Sequence, residues 1–361
     1  MSASRFRPPR SSPYARLDTP LVGRVDEHVI SSAVLAGNPL GDPSDRPLWV
    51  SVPAGWDGVI ALPVVYVVQG YTGQLSMWRN RQPFRRTPLE AVDDLLADPA
   101  MPPVLVVHVD AWTSLGGSQL LDSPSLGRYA SYLTGEVVPW VDAHYPTLAR
   151  TSSRAIAGKS SGGYAAMRTA MDFPELFGAF ATHAGDALFE VCYAPGFPDL
   201  ARALRPYDAS IEAFLADLTA PGRVPLVKPS DGPLVEVAGY SCAYDDAPDG
   251  SAELPFDPVT GALIPDVWAR WLTHDPVRRA ATPEGSAALA GMRGVWIDAG
   301  TGDDYHLDLG AIAFRDAALA AGLPAARLRF ELFDATHAAI EWRYPMALRW
   351  LAEHALERAD G

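Results

Sequence analysis

Gly158-Lys159-Ser160-Ser161-Gly162 has the form G-x-S-x-G, a spacing that serves nucleophilic chemistry at a serine. It follows the short apolar run Arg154–Ala157 and precedes the helical stretch GGYAAMRTAM. Strand, tight turn and helix in that order predict a strained elbow that lifts the Ser160 hydroxyl above a sheet edge, beside a helix N-terminus. A serine hydroxyl is a poor nucleophile at neutral pH. It needs a base, and the base needs an acid to orient it. Both types occur further on. The run VWIDAG leads into Thr301-Gly302-Asp303-Asp304, and RFELFD leads into Ala335-Thr336-His337. Asp303 and His337 are 34 residues apart, room for one helix and one strand. The expected set is Ser160 as nucleophile, His337 as base and Asp303 as acid, with the adjacent Asp304 as the alternative acid. Asp298 lies inside a strand run and reads as structural.

Acyl transfer also requires donors for a developing oxyanion. The backbone N–H of Ser161, directly after the nucleophile, is one. The loop Gln69-Gly70-Tyr71-Thr72-Gly73 follows an apolar run and can turn tightly. Tyr71 is the candidate for the second N–H, against the alternative of an ordinary glycine turn. Gln69, Gly70 and Lys159 flank these positions as candidate substrate contacts. Trp78 and Trp112 follow strand ends on the same edge and are candidates to line an acyl pocket, with plain packing as the alternative. Asp186 and Glu341 are candidates to support the site from behind, or ordinary polar contacts. Among the other histidines His306 competes most closely as base. His108 and His183 sit at strand ends, where a structural role is expected, and His28, His144, His274 and His354 lie elsewhere.

These residues need a scaffold, and the hydropathy supplies one. Short continuous apolar runs recur at Val64–Val68, Val104–Val109, Ala155–Ala157, Ala179–Thr182, Val295–Ile297 and Leu328–Phe333. Continuous rather than alternating runs suit strands covered on both faces, as in a parallel sheet. Helical stretches lie between several of them. Thr87-x-x-Glu90 is a capping box with Pro88 at the first helical position. Leu309–Ala321 is helical in period and stops at Gly322, and Tyr344–Glu357 reads as a closing helix. HVISSAVL and PLWVSV, around a turn-rich Gly37–Pro47, predict an opening hairpin. The expectation is one α/β domain over residues 23–361, its mostly parallel central sheet flanked by helices, after a flexible arm over residues 1–22. From about Ala187 to Gly291 the rhythm breaks. Prolines, aromatics and an acidic run (Asp245, Asp246, Asp249, Glu253, Asp257) fill the stretch. So long a structureless loop is implausible, so a partly helical, lid-like insertion before the acid-bearing strand is expected.

The net charge of −14 and pI near 4.9 disfavour a nucleic-acid or anionic-membrane surface. Cys192 and Cys242 cannot make a disulfide framework or a cysteine-built zinc site. They read as two free thiols, one bridge being the alternative. No apolar segment follows the N-terminal arginines, and the longest apolar run, Val59–Val68, contains Pro63 and falls short of the roughly 20 residues of a membrane helix. A cytoplasmic chain is expected. No metal or organic cofactor is implied.

VVYVVQGYTG, RAIAGKSSGGYAAM, FPELFGAF, DAGTGD and DATH together resemble the putative esterase family of α/β hydrolases. That family includes S-formylglutathione hydrolase (esterase D), enterochelin esterases, feruloyl and acetylxylan esterases and the mycolyltransferases. The resemblance covers Val64 to Leu351 apart from the insertion. It implies an α/β-hydrolase fold and carriage of the family roles by Ser160, Asp303 and His337, with oxyanion donors at Tyr71 and Ser161. Gln69 stands where the family usually has His, and Lys159 and Ser161 flank the nucleophile where apolar residues are common. An acidic insertion matches an anionic enterochelin-type substrate poorly, Lys159 and Arg343 being the local exceptions. The expected activity is a serine esterase acting on a small-molecule ester through an acyl-enzyme, with the insertion as lid. An acyltransferase with the same triad and a non-catalytic binding protein on the same fold are the alternatives. The insertion's aromatics are equally suited to a homodimer interface.

Overall fold

In the computed structural model, which describes residues 20–245 and 247–359, the apolar runs become the strands of one sheet. These are β1 (Arg24–Ser31), β2 (Asp45–Val52), β3 (Val64–Val68), β4 (Leu105–Val109), β5 (Arg154–Lys159), β6 (Ala179–His183), β7 (Gly294–Gly300) and β8 (Leu328–Phe333). Their order is β1-β2-β4-β3-β5-β6-β7-β8. The opening hairpin β1–β2 and its junction with β4 are antiparallel; every pairing from β4 to β8 is parallel. The expected mostly parallel sheet is therefore present. Of the arm expected over residues 1–22, only residues 20–22 lie within the described residues, as does all of the acidic run except Asp246. The amides of Val22 and Gly23 donate to the Asp93 carboxylate at 2.7 and 2.9 Å.

The helices that bear on the site are α1 (Pro88–Leu96), α2 (Ser161–Asp172), α3 (Asp231–Tyr244), α4 (Pro265–Leu272), α5 (Pro276–Ala280), α6 (Pro283–Gly291), α7 (Leu307–Ala320) and α8 (Arg343–His354). Strand residues alternate faces, and both faces are covered. Val64, Tyr66 and Val68 of β3 pack with α2, α6 and α7, while Val65 and Val67 pack with α1 and α8. That two-sided burial is why these strands read as unbroken apolar runs. The capping box at α1 forms as its spacing requires. The Glu90 amide donates to Thr87 Oγ1 at 3.1 Å, and the Thr87 amide to Glu90 Oε2 at 2.8 Å.

The insertion divides. The expected span of residues 187–291 ends in α5 and α6, which pack on α2 and α7 as part of the layer covering the sheet. The part before them has its own aromatic core, with Phe197, Tyr244, Phe256 and Trp271 buried together. Asp275 clasps its two ends, accepting from the amides of Leu188 and Phe189 (3.2 and 2.9 Å) and from that of Val277 (2.9 Å). Most of the aromatics considered for a dimer face are consumed in this core. Cys192 and Cys242 are unpaired.

Two constraints hold the C-terminal edge of the parallel strands. The first is the crossing of β5 and α2. A Cβ on Gly158 would lie 2.0 Å from the Gly162 carbonyl oxygen, and one on Gly162 would lie 2.5 Å from the carbonyl oxygens of Val68 and Gln69. The second is a buried ion network below it. Asp298 on β7 accepts from Trp296 Nε1 (2.6 Å) and Arg343 Nε (2.7 Å) and lies 2.7 Å from His183 Nδ1. Burial alone would raise the Asp298 carboxyl, but His183, Arg343 and Trp296 together hold it below the usual carboxylate range.

Both constraints are testable by unfolding. Gly158→Ala forces backbone against backbone and is expected to cost about 3 kcal/mol or more, read as a lowered midpoint in urea. Asp298→Asn takes from the buried Arg343 the carboxylate at 2.7 Å, leaving it the half-buried Glu331, and is expected to cost roughly 3 kcal/mol near neutrality. A depressed carboxylate pKa adds stability above the unfolded value, which is lost as the pH falls through the folded one. The gap between native protein and Asp298→Asn should therefore close below about pH 4; a gap unchanged at pH 3 would refute the assignment.

Candidate active site

Ser160 occupies the turn between β5 and α2 with φ 56° and ψ −126°. For a residue with a side chain this is a strained, positive-φ conformation. Two hydrogen bonds hold it there. The Ser160 amide donates to the His183 carbonyl at 2.9 Å, and the Tyr164 amide donates to the Ser160 carbonyl at 2.8 Å. The side chain is thereby presented at the C-terminal edge of the parallel strands.

Two loops reach it. The loop after β8 brings His337, whose Nε2 lies 3.1 Å from Ser160 Oγ. The loop after β7 brings Asp303, whose Oδ2 lies 2.8 Å from His337 Nδ1. The other oxygen of Asp303 accepts from the amides of Tyr305 (2.9 Å) and Leu307 (3.3 Å), so the buried carboxylate is fixed at the start of α7. Asp304 is exposed on the cavity and is not the carboxylate bound to His337. The Tyr305 ring stands edge-on to the imidazole, centroids 4.8 Å apart.

The loop after β3 runs beside Ser160. A Cβ on Gly70 would sit 3.4 Å from Ser160 Cβ, so this position admits the loop at contact distance. Tyr71 follows. Its hydroxyl donates to the Val235 carbonyl on α3 at 2.9 Å and is shared with that of Leu115. Ser161 opens α2, and its side chain donates to Gln119 Oε1. Gln119 in turn donates to Tyr244 Oη at 2.7 Å and approaches Asp186 Oδ2 at 3.5 Å.

Ser160, His337, Gln69, Gly70, Tyr71 and Lys159 all line one cavity of about 800 Å³, roofed by the insertion. Lys159 is paired with Glu341 at 3.1 Å. The two tryptophans are not there. Trp78 is buried in the core under α8, its ring against those of His108 (4.6 Å) and Tyr344 (5.1 Å); its neighbour Met77 faces the cavity instead. Trp112 pairs with Gly117 in a short hairpin away from the cavity lining, and Arg46 donates to its carbonyl. An aromatic after a strand end can turn to either face, and here both turned away.

The remaining histidines have other partners or places. His108 lies 2.8 Å from Ser51 Oγ, and burial pushes its imidazole down to about 3. His274 is pushed down to about 4, by burial first and Arg168 second. His306 caps α7 in a left-handed conformation at the cavity rim. Sequence reasoning missed Gln119, Tyr244 and Glu236. Glu236 had a signal, as a lone carboxylate in the middle of the apolar helix α3. It now faces the cavity, its carboxyl pushed up to about 7 by burial and then by Asp186. Among the described residues no group of three or more His, Cys, Asp or Glu side chains is arranged to hold a metal ion, and no helix is long and apolar enough to cross a membrane.

Comparison with known proteins agrees with this edge-of-sheet architecture. Residues 43–347 match the family described as Putative esterase. Among solved structures the chain is similar to a ferulic acid esterase, at 17% identity over 92% of this chain and 97% of that one, with a TM-score of 0.56. It is also similar to a fluorophosphonate-binding serine hydrolase of Staphylococcus aureus (16%, 91% and 98%, 0.54) and to an S-formylglutathione hydrolase from Agrobacterium tumefaciens (16%, 94% and 98%, 0.51). At such identities the likeness is one of fold. No curated protein matches the chain. The family match spans most of the chain, and on that ground this α/β-hydrolase-fold protein belongs to the Putative esterase family of carboxylic ester hydrolases.

Proposed function

We propose that the chain cleaves carboxylic esters through an acyl-enzyme formed on Ser160. The observation that carries this reading is the imidazole of His337, held between Ser160 Oγ at 3.1 Å and Asp303 Oδ2 at 2.8 Å. His337 Nε2 takes the proton of Ser160 as Oγ attacks the carbonyl carbon. Asp303 accepts from Nδ1–H, which fixes the tautomer and stabilises the imidazolium. The N–H groups of Tyr71 and Ser161 receive the oxyanion. His337 then protonates the departing alkoxide, and a water activated by the same imidazole releases the acid and restores Ser160. The roof formed by the insertion acts as a lid that shields the acyl-enzyme from bulk water, and a cavity of about 800 Å³ suits a small-molecule ester. Residues 23–361 act as one domain carrying that lid.

A fluorophosphonate phosphorylates an activated serine and no ordinary one. Intact mass spectrometry is expected to show one adduct on the native protein and none on Ser160→Ala; an unlabelled but folded native protein would overturn the mechanism. The two adjacent acids separate by kinetics on 4-nitrophenyl acetate. Asp303→Asn is expected to lower kcat by roughly 10⁴-fold, since the wrong tautomer is then favoured. Asp304→Asn should stay within a few-fold of native, and the reverse ranking would reassign the acid.

A further inference from the structure

The charges facing the cavity do not balance. Lys159 is its one ammonium among the described residues, and Glu341 neutralises it at 3.1 Å. No arginine faces the space; Arg343, the other cation near this edge, is spent on Asp298 and Glu331 at 2.7 and 2.8 Å. Asp199 at the rim pairs with Arg202. That leaves Asp186, Glu236 and Asp304. Asp304 is solvated, Asp186 is buried, and Glu236 is half-buried on the cavity wall.

Asp186 is 3% exposed. Only one of its oxygens is used: Oδ2 takes Tyr193 at 2.8 Å, Tyr240 at 3.4 Å and Gln119 at 3.5 Å. Among the described residues nothing donates to Oδ1, and Asp186 lines the cavity. Glu236 projects from α3 with no hydrogen-bonding or ionic partner among the described residues. Their joint field reaches the site: the Tyr305 hydroxyl, on the ring that abuts His337, is pushed up to about 12, by Glu236 first, then burial and Asp186. The wall around them is aromatic, with Tyr71, Tyr193, Tyr240 and Trp271 lining the same space.

Carboxylates short of counter-charge are costly to ionise, and desolvation accordingly holds the Asp186 and Glu236 carboxyls above their usual range. A ligand that brings the missing positive charge relieves that cost, and aromatic faces add attraction for the same ion. An anionic ligand would meet repulsion strengthened by the low dielectric.

Resting on the esterase reading above, we infer that Asp186 and Glu236 form a cation subsite and that the substrates are esters bearing an alkylammonium group. The side chains assign its recognition to Glu236 directly and to the free oxygen of Asp186.

The test compares matched esters on the full-length protein. In one arm the leaving group varies: acetylthiocholine against S-(3,3-dimethylbutyl) thioacetate, its uncharged carbon isostere. In the other the acyl chain varies: 4-nitrophenyl esters ending in trimethylammonium, tert-butyl or carboxylate. In at least one arm kcat/KM for the cationic member is expected to exceed that of its neutral isostere by roughly 10- to 100-fold, the worth of one desolvated cation contact, with the carboxylate member slowest. Glu236→Gln should collapse that ratio towards one, and Asp186→Asn should reduce it. Equal or faster cleavage of the neutral member in both arms overturns the subsite and leaves the esterase reading standing. A preference that survives both variants overturns the assignment to these carboxylates. No cleavage of any ester, together with no fluorophosphonate adduct, overturns the esterase reading itself and the subsite with it.

Discussion

Where β5 meets α2 the two backbones approach until no Cβ fits. Gly158 would meet the Gly162 carbonyl oxygen at 2.0 Å, and Gly162 the carbonyls that end β3 at 2.5 Å. One turn is left in which to reverse direction, and Ser160 takes it at positive φ. The same contact seats the loop after β3 against Ser160, since Gly162 presses on Val68 and Gln69 just before Gly70 and Tyr71. The elbow and the loop after β3 are thus positioned by a single steric fact. Strain of this kind persists only when its surroundings over-determine it, and here they do: the Ser160 amide and carbonyl are both engaged, by His183 and Tyr164.

His337 and Asp303 depend on a different interaction. Both arrive on loops, which are softer than strands. Beneath them Arg343, at the start of α8, is buried and bound to Asp298 of β7 and Glu331 of β8. Those are the two strands whose C-terminal loops carry Asp303 and His337. Tyr344, the next residue, donates its hydroxyl to the Val68 carbonyl at 2.8 Å and so ties α8 to β3 as well. A short stretch of chain six residues past His337 therefore references the loops that follow β3, β7 and β8 to one another. Such support is what holds a site to the sub-ångström tolerance that proton transfer needs.

How much of this was legible depended on whether a feature is local. The strands could be read because two-sided burial writes itself as an unbroken apolar run. The elbow could be read because strand, turn and helix are contiguous there. Chain order and loop position picked out His337 and the Asp303–Asp304 pair, but choosing between the neighbours required knowing which faced the imidazole, and Asp303 did. Trp78 and Trp112 illustrate the opposite case, since nothing in their spacing says which way an indole turns after a strand ends. The insertion's boundary was misjudged for a related reason. Helices α5 and α6 lack the apolar run that marks a strand, and only their packing on α2 and α7 shows them to be part of the sheet's cover. Gln119 was invisible because its partners Ser161 and Tyr244 are 42 and 125 residues away.

The roof has a core separate from those of the sheet, yet it is not an independent part. Tyr71 belongs to that aromatic core while its backbone continues the loop beside Ser160. Its hydroxyl is bound to the Val235 carbonyl on α3, one residue before Glu236. Tyr164 makes a second link, packing from the elbow helix α2 against Phe189 and Tyr244. The proposed oxyanion donor and the carboxylate facing the substrate are therefore joined by one side chain and one hydrogen bond. A shift of α3 cannot move the roof of the cavity without pulling on the donor. The insertion thus helps set the geometry at this end of the cavity even though it supplies none of Ser160, His337 and Asp303. Under the proposed mechanism this coupling gives a reason for a roof built of packed rings: pre-organised donors act only when they are held still before the substrate arrives.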